Sequence, residues 1–344
     1  MGQGDCTVIV PPAGQGAPIL FDCADAYVAE RFMADHGIDR LAAVVASHLD
    51  QDHVGGLLPF LRGFFDRGGK VGRLVMFADR ALARGKNKPL RALAAHALRW
   101  ERTPPHPGFV LKHNFRDGEG PMRLLEASDG QWSVDLILPF VGDVSRSLIE
   151  GGQQPNLCSA VLRVERAGTA VLIGGDAPLA SWERLEPNQL SAHTIRAPHH
   201  GGKLTGYGET WQTYEDLYDS VGAQVAAVSV GTHNGNYGHP KPDHILAARR
   251  GGACRVLCTQ LTPRCHADPE ALRDEALLYA GGVEYPYRHR AQPGHRKARP
   301  ENQVPCAGNI AVWLTADGAV HVEPVSGGDH DRLLAQIDAP LCQR

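Results

Sequence analysis

The sequence lacks any long hydrophobic run: stretches such as 42–46 and 134–140 break off well short of the roughly 18 apolar residues that a membrane helix needs. No membrane span is expected. Cysteine is scarce as well, eight in 344 residues, far from the density of a disulfide-stapled secreted scaffold. No N-terminal run pairs a charged start with an apolar stretch, so the expected compartment is the reducing cytoplasm. Neither charge is in excess, with 35 Lys and Arg against 38 Asp and Glu leaving −3, while 43% of residues are hydrophobic. That balance excludes a disordered tail or a collagen-like repeat and allows a sizeable core.

What is plentiful is glycine (39), proline (24) and histidine (17). The first two put many residues in turns and loops, where chemistry is usually carried. The histidines stand beside aspartates in short motifs and point to metal or acid/base work. Apolar, β-branched runs at 7–10, 19–22, 41–46, 132–139, 159–164, 169–173, 194–197 and 225–230 read as buried strands. The third is followed by a polar loop and then by 57–65, whose apolar spacing suits a helix packed on a sheet. A last strand pair is expected at 307–313 and 320–325. Motif-bearing strands recur without a linker, which favours one α/β core over 1–260. An insertion at about 66–130 interrupts it, and an extension over 261–344 packs on the same domain.

The strongest chemical signal is His48-Leu49-Asp50-Gln51-Asp52-His53, four potential ligands in six residues between a strand and a helix. Carboxylate oxygens with imidazole nitrogens suit Zn, Mn or Fe. Gly55 and Gly56 allow a tight turn into the helix, whose positive end favours the Asp52 carboxylate. Three further strand ends supply the remaining ligands a metal centre needs: Gly175-Asp176, His199-His200-Gly201-Gly202, and Tyr237-Gly238-His239-Pro240.

Taken in order, these motifs make the chain resemble the metallo-β-lactamase superfamily, and within it the metallohydrolase domain of the ComEC DNA-uptake family. The resemblance runs from residue 2 to about 260. It rests on Gly2-Gln3-Gly4-Asp5, the strand ending at Asp22, Ser47 to Gly56, Asn156 and Ser159, Gly175-Asp176, His199-His200-Gly201, Ser229-Val230-Gly231 and Tyr237-Gly238-His239-Pro240. It implies an αββα sandwich with a metal site at one edge of the sheets and, usually, phosphodiester hydrolysis. Motif order in the superfamily implies His48 and Asp50 on one metal, Asp52 and His53 on the other, and Asp176 bridging. His200 and His239 complete the two shells in an order left open, with His199 behind them. Asp50 stands where most members carry histidine, and the added negative charge makes Mn a competitor to Zn. Asp52, Asp176 and His200 are the residues implied to be catalytic. Two such ions lower the pKa of a bridging water and steady an in-line phosphoryl displacement. Asp5, Asn156 and Tyr237 are candidates to orient ligands or substrate. Three departures mark the chain: it begins at the Gly-Gln-Gly-Asp turn, no membrane channel accompanies the domain, and the 265–305 segment is foreign to it.

Residues 70–116 carry eleven Lys or Arg against two acids in a chain that is net acidic. Within 89–101, leucines 90, 93 and 98 can face inward while Arg91, Arg99 and Arg102 point out, which makes a basic helix able to hold phosphate backbones. A second basic run lies at 287–299. Cys258, Cys265, His266 and Cys306 offer a possible structural zinc set, although their spacing fits no standard knuckle. The leading expectation is a nuclease or phosphodiesterase with nucleic acid as partner. The alternatives are a small ester, lactone or cyclic-nucleotide hydrolase, and an accessory subunit of a DNA-processing or defence complex docking through 265–305.

Overall fold

In the computed structural model, which describes residues 4–76, 88–112, 121–140, 142, 155–232, 238–253, 255–268, 272, 304–325 and 329–343, the apolar runs become strands that end at the polar motifs. The chain forms two compact units, Gly4–Val161 and Leu162–Arg344 with Met1–Gln3. Among the described residues no helix is long and apolar enough to cross a membrane.

The first unit holds β1 (Thr7–Ile9), β2 (Ile19–Phe21), α1 (Ala26–Asp35), β3 (Arg40–Val45), α2 (Gln51–Val54), α3 (Leu57–Asp66), β4 (Lys70–Val75), α4 (Lys88–Arg102), β5 (Val110–Lys112), β6 (Met122–Glu126) and β7 (Trp132–Leu138). β1 to β5 form one sheet in chain order, antiparallel between β1 and β2 and parallel thereafter. Ala43, Val44 and Val45 of β3 are all buried, the continuous apolar pattern of a parallel strand covered on both faces. α3 buries Leu57, Phe60, Leu61 and Phe64, one stripe at helical spacing. Each such side chain contributes roughly 1.5–3 kcal/mol by leaving water. Leu93, Ala97 and Trp100 of α4 join the same core, while Arg91, Arg99 and Arg102 are exposed.

Several elements escape the hydrophobic pattern. α1 buries only Ala29 and Met33, too few to print a helical period, and starts on the side chain of Asp25, which accepts from the Tyr27 amide at 2.9 Å. β4 falls in the segment read as an insertion and has glycine in its middle. A Cβ at Gly72 would stand 2.7 Å from the Ala42 carbonyl oxygen, so the neighbouring strand's closeness requires that glycine. β5 and β6 are short and half exposed.

The second unit begins at the second residue of β8 (Val161–Arg166), which is joined to β9 (Thr169–Gly174) through Ala167 and Gly168, both at positive φ as a two-residue hairpin turn demands. β9, β10 (Thr194–Arg196), β11 (Val225–Val228) and β12 (Arg255–Cys258) then run parallel in that order. Two further helices concern the site, α5 (Tyr214–Val221) and α6 (Pro242–Arg250). α5 is closed at one end by a Thr213–Asp216 capping box and at the other by left-handed Gly222. β13 (Ile310–Leu314) and β14 (Val320–Pro324) pair antiparallel in the C-terminal extension. Most of 265–305, including the basic run at 287–299, lies outside the described residues.

Gly56 supplies a test of the turn into α3. A Cβ there would lie 2.3 Å from the Ala26 amide nitrogen, so close backbone approach, rather than an unusual φ, explains this glycine. Gly56→Ala should cost about 1–3 kcal/mol, the scale of overpacking, read as a lower denaturation midpoint with an unchanged slope.

Candidate metal centre

Parallel pairing of β2 with β3 sets Phe21 against Val45, so the residues that follow, Asp22 and Ser47, leave the sheet side by side. Asp22 is fully buried and left-handed, φ 60°, an unusual state for a residue with a Cβ. Its carboxylate accepts from the Ser47 amide at 2.7 Å, from the Ser47 hydroxyl at 2.8 Å and from His53 Nδ1 at 2.8 Å. A carboxylate only accepts, so Nδ1 carries the proton and Nε2 holds the ring's lone pair. Ser47 has spent its proton on Asp22 and therefore accepts from His48 Nδ1, 3.1 Å away. His48 Nε2 thus also presents a lone pair, 3.7 Å from Asp50 Oδ2. Two electron-pair donors face one another there, which a cation or a proton reconciles.

His48 and His53 are buried with ring centroids 4.1 Å apart. Asp5, buried too, brings Oδ2 to 3.5 Å from His53 Nδ1, and its amide donates to the Asp52 carbonyl at 2.8 Å. Asp50 is exposed and Asp52 half-buried. Asn156 is buried in a short 3₁₀ turn, Pro155–Cys158. Ser159 Oγ then reaches to 3.4 Å from His48 Nδ1, and the Ala160 amide donates to the Ser47 carbonyl at 2.8 Å.

In the second unit the parallel strands again end together. Asp176 follows β9, His199 and His200 follow β10, and Ser229 follows β11. His199, His200 and Gly201 are successive left-handed residues, φ 52°, 54° and 70°. This turn is held by the His199 amide donating to the Gly175 carbonyl at 3.0 Å. His200 Nδ1 donates to the Ser229 carbonyl and His199 Nδ1 to the Lys203 carbonyl, each at 2.8 Å. Both Nε2 atoms are left as lone-pair nitrogens, and both face Asp176, His199 at 3.6 Å and His200 at 4.0 Å. His239 lies beside them, its ring tilted against His199 at a centroid distance of 5.0 Å and near parallel to His200 at 6.1 Å. Burial, then the neighbouring His199 and His200, push its pKa down to about 3, so the ring is neutral as metal ligation requires. A Cβ on Gly202 would lie 2.3 Å from His239 Cε1, so only glycine leaves that ring its place. Tyr237 lies outside the described residues.

Behind this turn sits a pair that the motifs do not announce. His244 Nδ1 donates to the Gly202 carbonyl at 2.8 Å, and its Nε2 accepts from the Tyr218 hydroxyl at 2.9 Å. α6 and α5 contribute one residue each. The proposed zinc set is not gathered among the described residues. Instead the free thiol of Cys258 hydrogen-bonds Cys265, Cys306 lies 3.7 Å from His330 Nδ1, and half-buried His266 turns to the Asp268 carbonyl.

The residues fit divalent ions: each unit contributes a buried set of aspartate oxygens and imidazoles whose tautomers are fixed by their other nitrogen. A family model of the metallo-beta-lactamase superfamily matches residues 1–177, just over half of the chain, and the chain belongs to that superfamily. No curated protein sequence matches it significantly. Solved structures of similar fold include the metallo-beta-lactamase fold protein YhfI from Bacillus subtilis, 11% identical over 74% of this chain and 88% of that one with a TM-score of 0.42. The short form of human tRNase Z is 14% identical over 66% and 85%, TM-score 0.39. A diphosphatase of the PhnP family is 18% identical over 62% and 69%, TM-score 0.32. At these values the likenesses carry no argument about substrate. The chain has the α/β metallo-β-lactamase fold, with mixed sheets and a C-terminal extension, and is a metal-dependent hydrolase of that superfamily.

His244 gives the site a pH signature. Burial pushes its pKa down to about 4, whereas the unfolded imidazole titrates near 6.5. Its contribution is complete above about pH 6.5 and is lost as the pH falls toward the folded value, because the unfolded chain takes up the proton first. Denaturant titrations of the metal-free chain should show stability falling over that window, by up to about 1.4 kcal/mol per pH unit for each such proton. His244→Asn should flatten the fall; an unchanged slope would remove His244 as its source.

Proposed function

We propose that the chain is a phosphodiesterase or nuclease that uses two divalent ions, Zn or Mn, to cleave nucleic acid. The observation that carries the metal part of this reading is the fixed tautomers: Asp22 on His53 and the Ser229 carbonyl on His200 each commit Nδ1 and turn Nε2 outward as a ligand. His48, Asp50, Asp52, His53, Asp176, His200 and His239 are the ligands in this reading, as the motif order of the superfamily implies. Two divalent ions held by these residues would supply a water of lowered pKa and positive charge for a transferred phosphoryl group. The chain's own residues do the rest. Asp5 and Asp22 hold His53 in place, His199 orients Asp176, and Asp52, Asp176 and His200 are the groups placed at the reacting atoms.

The preference for phosphodiesters rests on charge. Asp50 makes its shell more anionic than a histidine would, which favours hard ions and phosphate oxygens over uncharged carbonyls. α4 packs against α2, the helix that carries Asp52 and His53, and shows Arg91, Arg99 and Arg102 to solvent. That arrangement supports a phosphate-binding face beside the motif, in keeping with the resemblance to the ComEC metallohydrolase domain.

The deciding experiment resupplies metal-free protein with Mn or Zn and offers bis-p-nitrophenyl phosphate, single-stranded DNA, duplex DNA and RNA. Cleavage should return with metal at about two ions per chain, and His53→Ala and Asp176→Ala should abolish it without changing circular dichroism. Efficient lactone or thioester turnover with no phosphodiester cleavage under either metal would overturn the assignment. Separately, replacing Arg91, Arg99 and Arg102 together with Gln should weaken DNA binding and flatten its salt dependence by roughly one unit of log–log slope per lost phosphate contact. Equal affinities for both proteins at two salt concentrations would leave α4 as a solvated helix.

A further inference from the structure

Among the described residues the second unit holds four buried cysteines, Cys258, Cys265, Cys306 and Cys342, none of which the proposed hydrolysis uses. They come from separate segments. Cys258 ends β12, Cys265 closes a 3₁₀ turn at Pro263–Cys265, Cys306 lies on the returning chain whose Ala307 amide donates to the Cys258 carbonyl, and the Leu341 amide ties the C-terminal segment to the Cys265 carbonyl. Among the described residues no three of their ligand atoms, with His330 included, converge as a metal group would require. Thiol chemistry between two partners is what the arrangement allows.

One pair is distinguished by its hydrogen bonds. The Thr262 amide points at Cys265 Sγ from 3.4 Å, and the Thr262 hydroxyl lies 3.5 Å from it. That hydroxyl accepts from the Arg264 amide at 3.1 Å, so its own proton is available to Cys265. The Cys258 thiol is the third donor. We propose that Cys258 and Cys265 form a reversible disulfide when the chain meets hydrogen peroxide, with Cys265 as the attacking sulfur and Cys258 as the resolving one. The Cys258 hydrogen bond and those from Thr262 lower the pKa of the Cys265 thiol, while the Cys258 thiol is raised by giving that bond and by burial. Cys306 and Cys342 are also raised by burial, so they compete poorly as nucleophiles at neutral pH.

The chemistry balances in two steps. The Cys265 thiolate attacks one peroxide oxygen, the O–O bond breaks, and a sulfenic acid and hydroxide result. Cys258 sulfur then attacks the sulfenic sulfur, and the hydroxyl leaves as water with the Cys258 proton. The two thiols lose two electrons in all, and the peroxide is reduced to water. The bond would pin the turn that sets Arg264 against Gly238, where the guanidinium lies 2.9 Å from the position of a Cβ, one residue before His239.

The test treats the intact reduced chain with one equivalent of hydrogen peroxide, blocks remaining thiols with iodoacetamide and maps tryptic peptides by mass spectrometry. Trypsin cuts after Arg264, so the two cysteines end on different peptides and a bond between them links the two. We expect that linked peptide and a fall from eight alkylatable cysteines to six, restored to eight by dithiothreitol. Cys306→Ser should keep the link, whereas Cys258→Ser should leave a Cys265 sulfenic acid that dimedone traps. Eight alkylatable cysteines after peroxide, or a link that joins a different pair, would overturn the proposal, and mapping the unsubstituted chain decides it even if Cys258→Ser fails to fold.

Discussion

A single buried carboxylate, Asp22, holds the first unit's candidate ligands together. It satisfies an amide, a hydroxyl and an imidazole at once, and through Ser47 it reaches a second imidazole, so that the tautomers of both His53 and His48 follow from its position. Its left-handed backbone costs roughly 1–2 kcal/mol. Hydrogen bonds to a charged group contribute about 1.5–3 kcal/mol each, which more than offsets that strain. Removing the carboxylate alone would strand the Ser47 amide and leave His53 Nδ1 to Ser47 Oγ at 3.2 Å and Asp5 Oδ2 at 3.5 Å. The conformation that looks unfavourable at Asp22 is the one that aims its oxygens back over the strand end toward Ser47.

The second unit solves the same problem with backbone carbonyls. Ser229 and Lys203 take the Nδ1 protons of His200 and His199, and the consecutive left-handed residues fold the turn so that both Nε2 atoms look toward Asp176. A carbonyl adds no net charge, which suits a cluster already containing three imidazoles beside one carboxylate. His244 and Tyr218 then brace the turn from behind through the Gly202 carbonyl. Because His239 is packed against Gly202, that brace and the His239 ring share one small volume, and a shift of either is felt by the other.

The candidate ligands were legible in the sequence because histidine and aspartate cluster at strand ends in one recurring order. His48, Asp176, His200 and His239 announce themselves this way. Asp22 and Ser47 carry no such cluster, and their meaning depends on the parallel register of β2 and β3, which periodicity does not specify. His244 and Tyr218 are 26 residues apart on two amphipathic helices and read there as ordinary core and surface positions. The glycines at 55 and 56 were legible as a tight turn, but the reason for Gly56 is the Ala26 backbone pressed against it, a tertiary contact. β4 and β12 were missed because one has a central glycine and arginine and the other is four residues long. The cysteines were read as a possible four-ligand set, and only their three-dimensional arrangement separates them into neighbours.

The basic helix shows how packing ties a surface to a site within the first unit. α4 has Leu93, Ala97 and Trp100 on one face and Arg91, Arg99 and Arg102 on the other, so its depth is set by the apolar face alone. Trp100 and Phe109 both meet Phe65 of α3 edge to face, with centroids 5.3 and 6.0 Å away. α2, which carries Asp52 and His53, follows the same strand that precedes α3 and is packed by α4 directly. A change in the aromatic layer therefore moves the arginines and the motif helix together. Guanidinium groups bind phosphate best when their approach is fixed in advance, since less side-chain entropy is then lost on binding. In the proposed reading, the apolar face of α4 would supply that fixing for the stretch of backbone bearing the arginines, which an exposed loop would have to supply at the moment of binding.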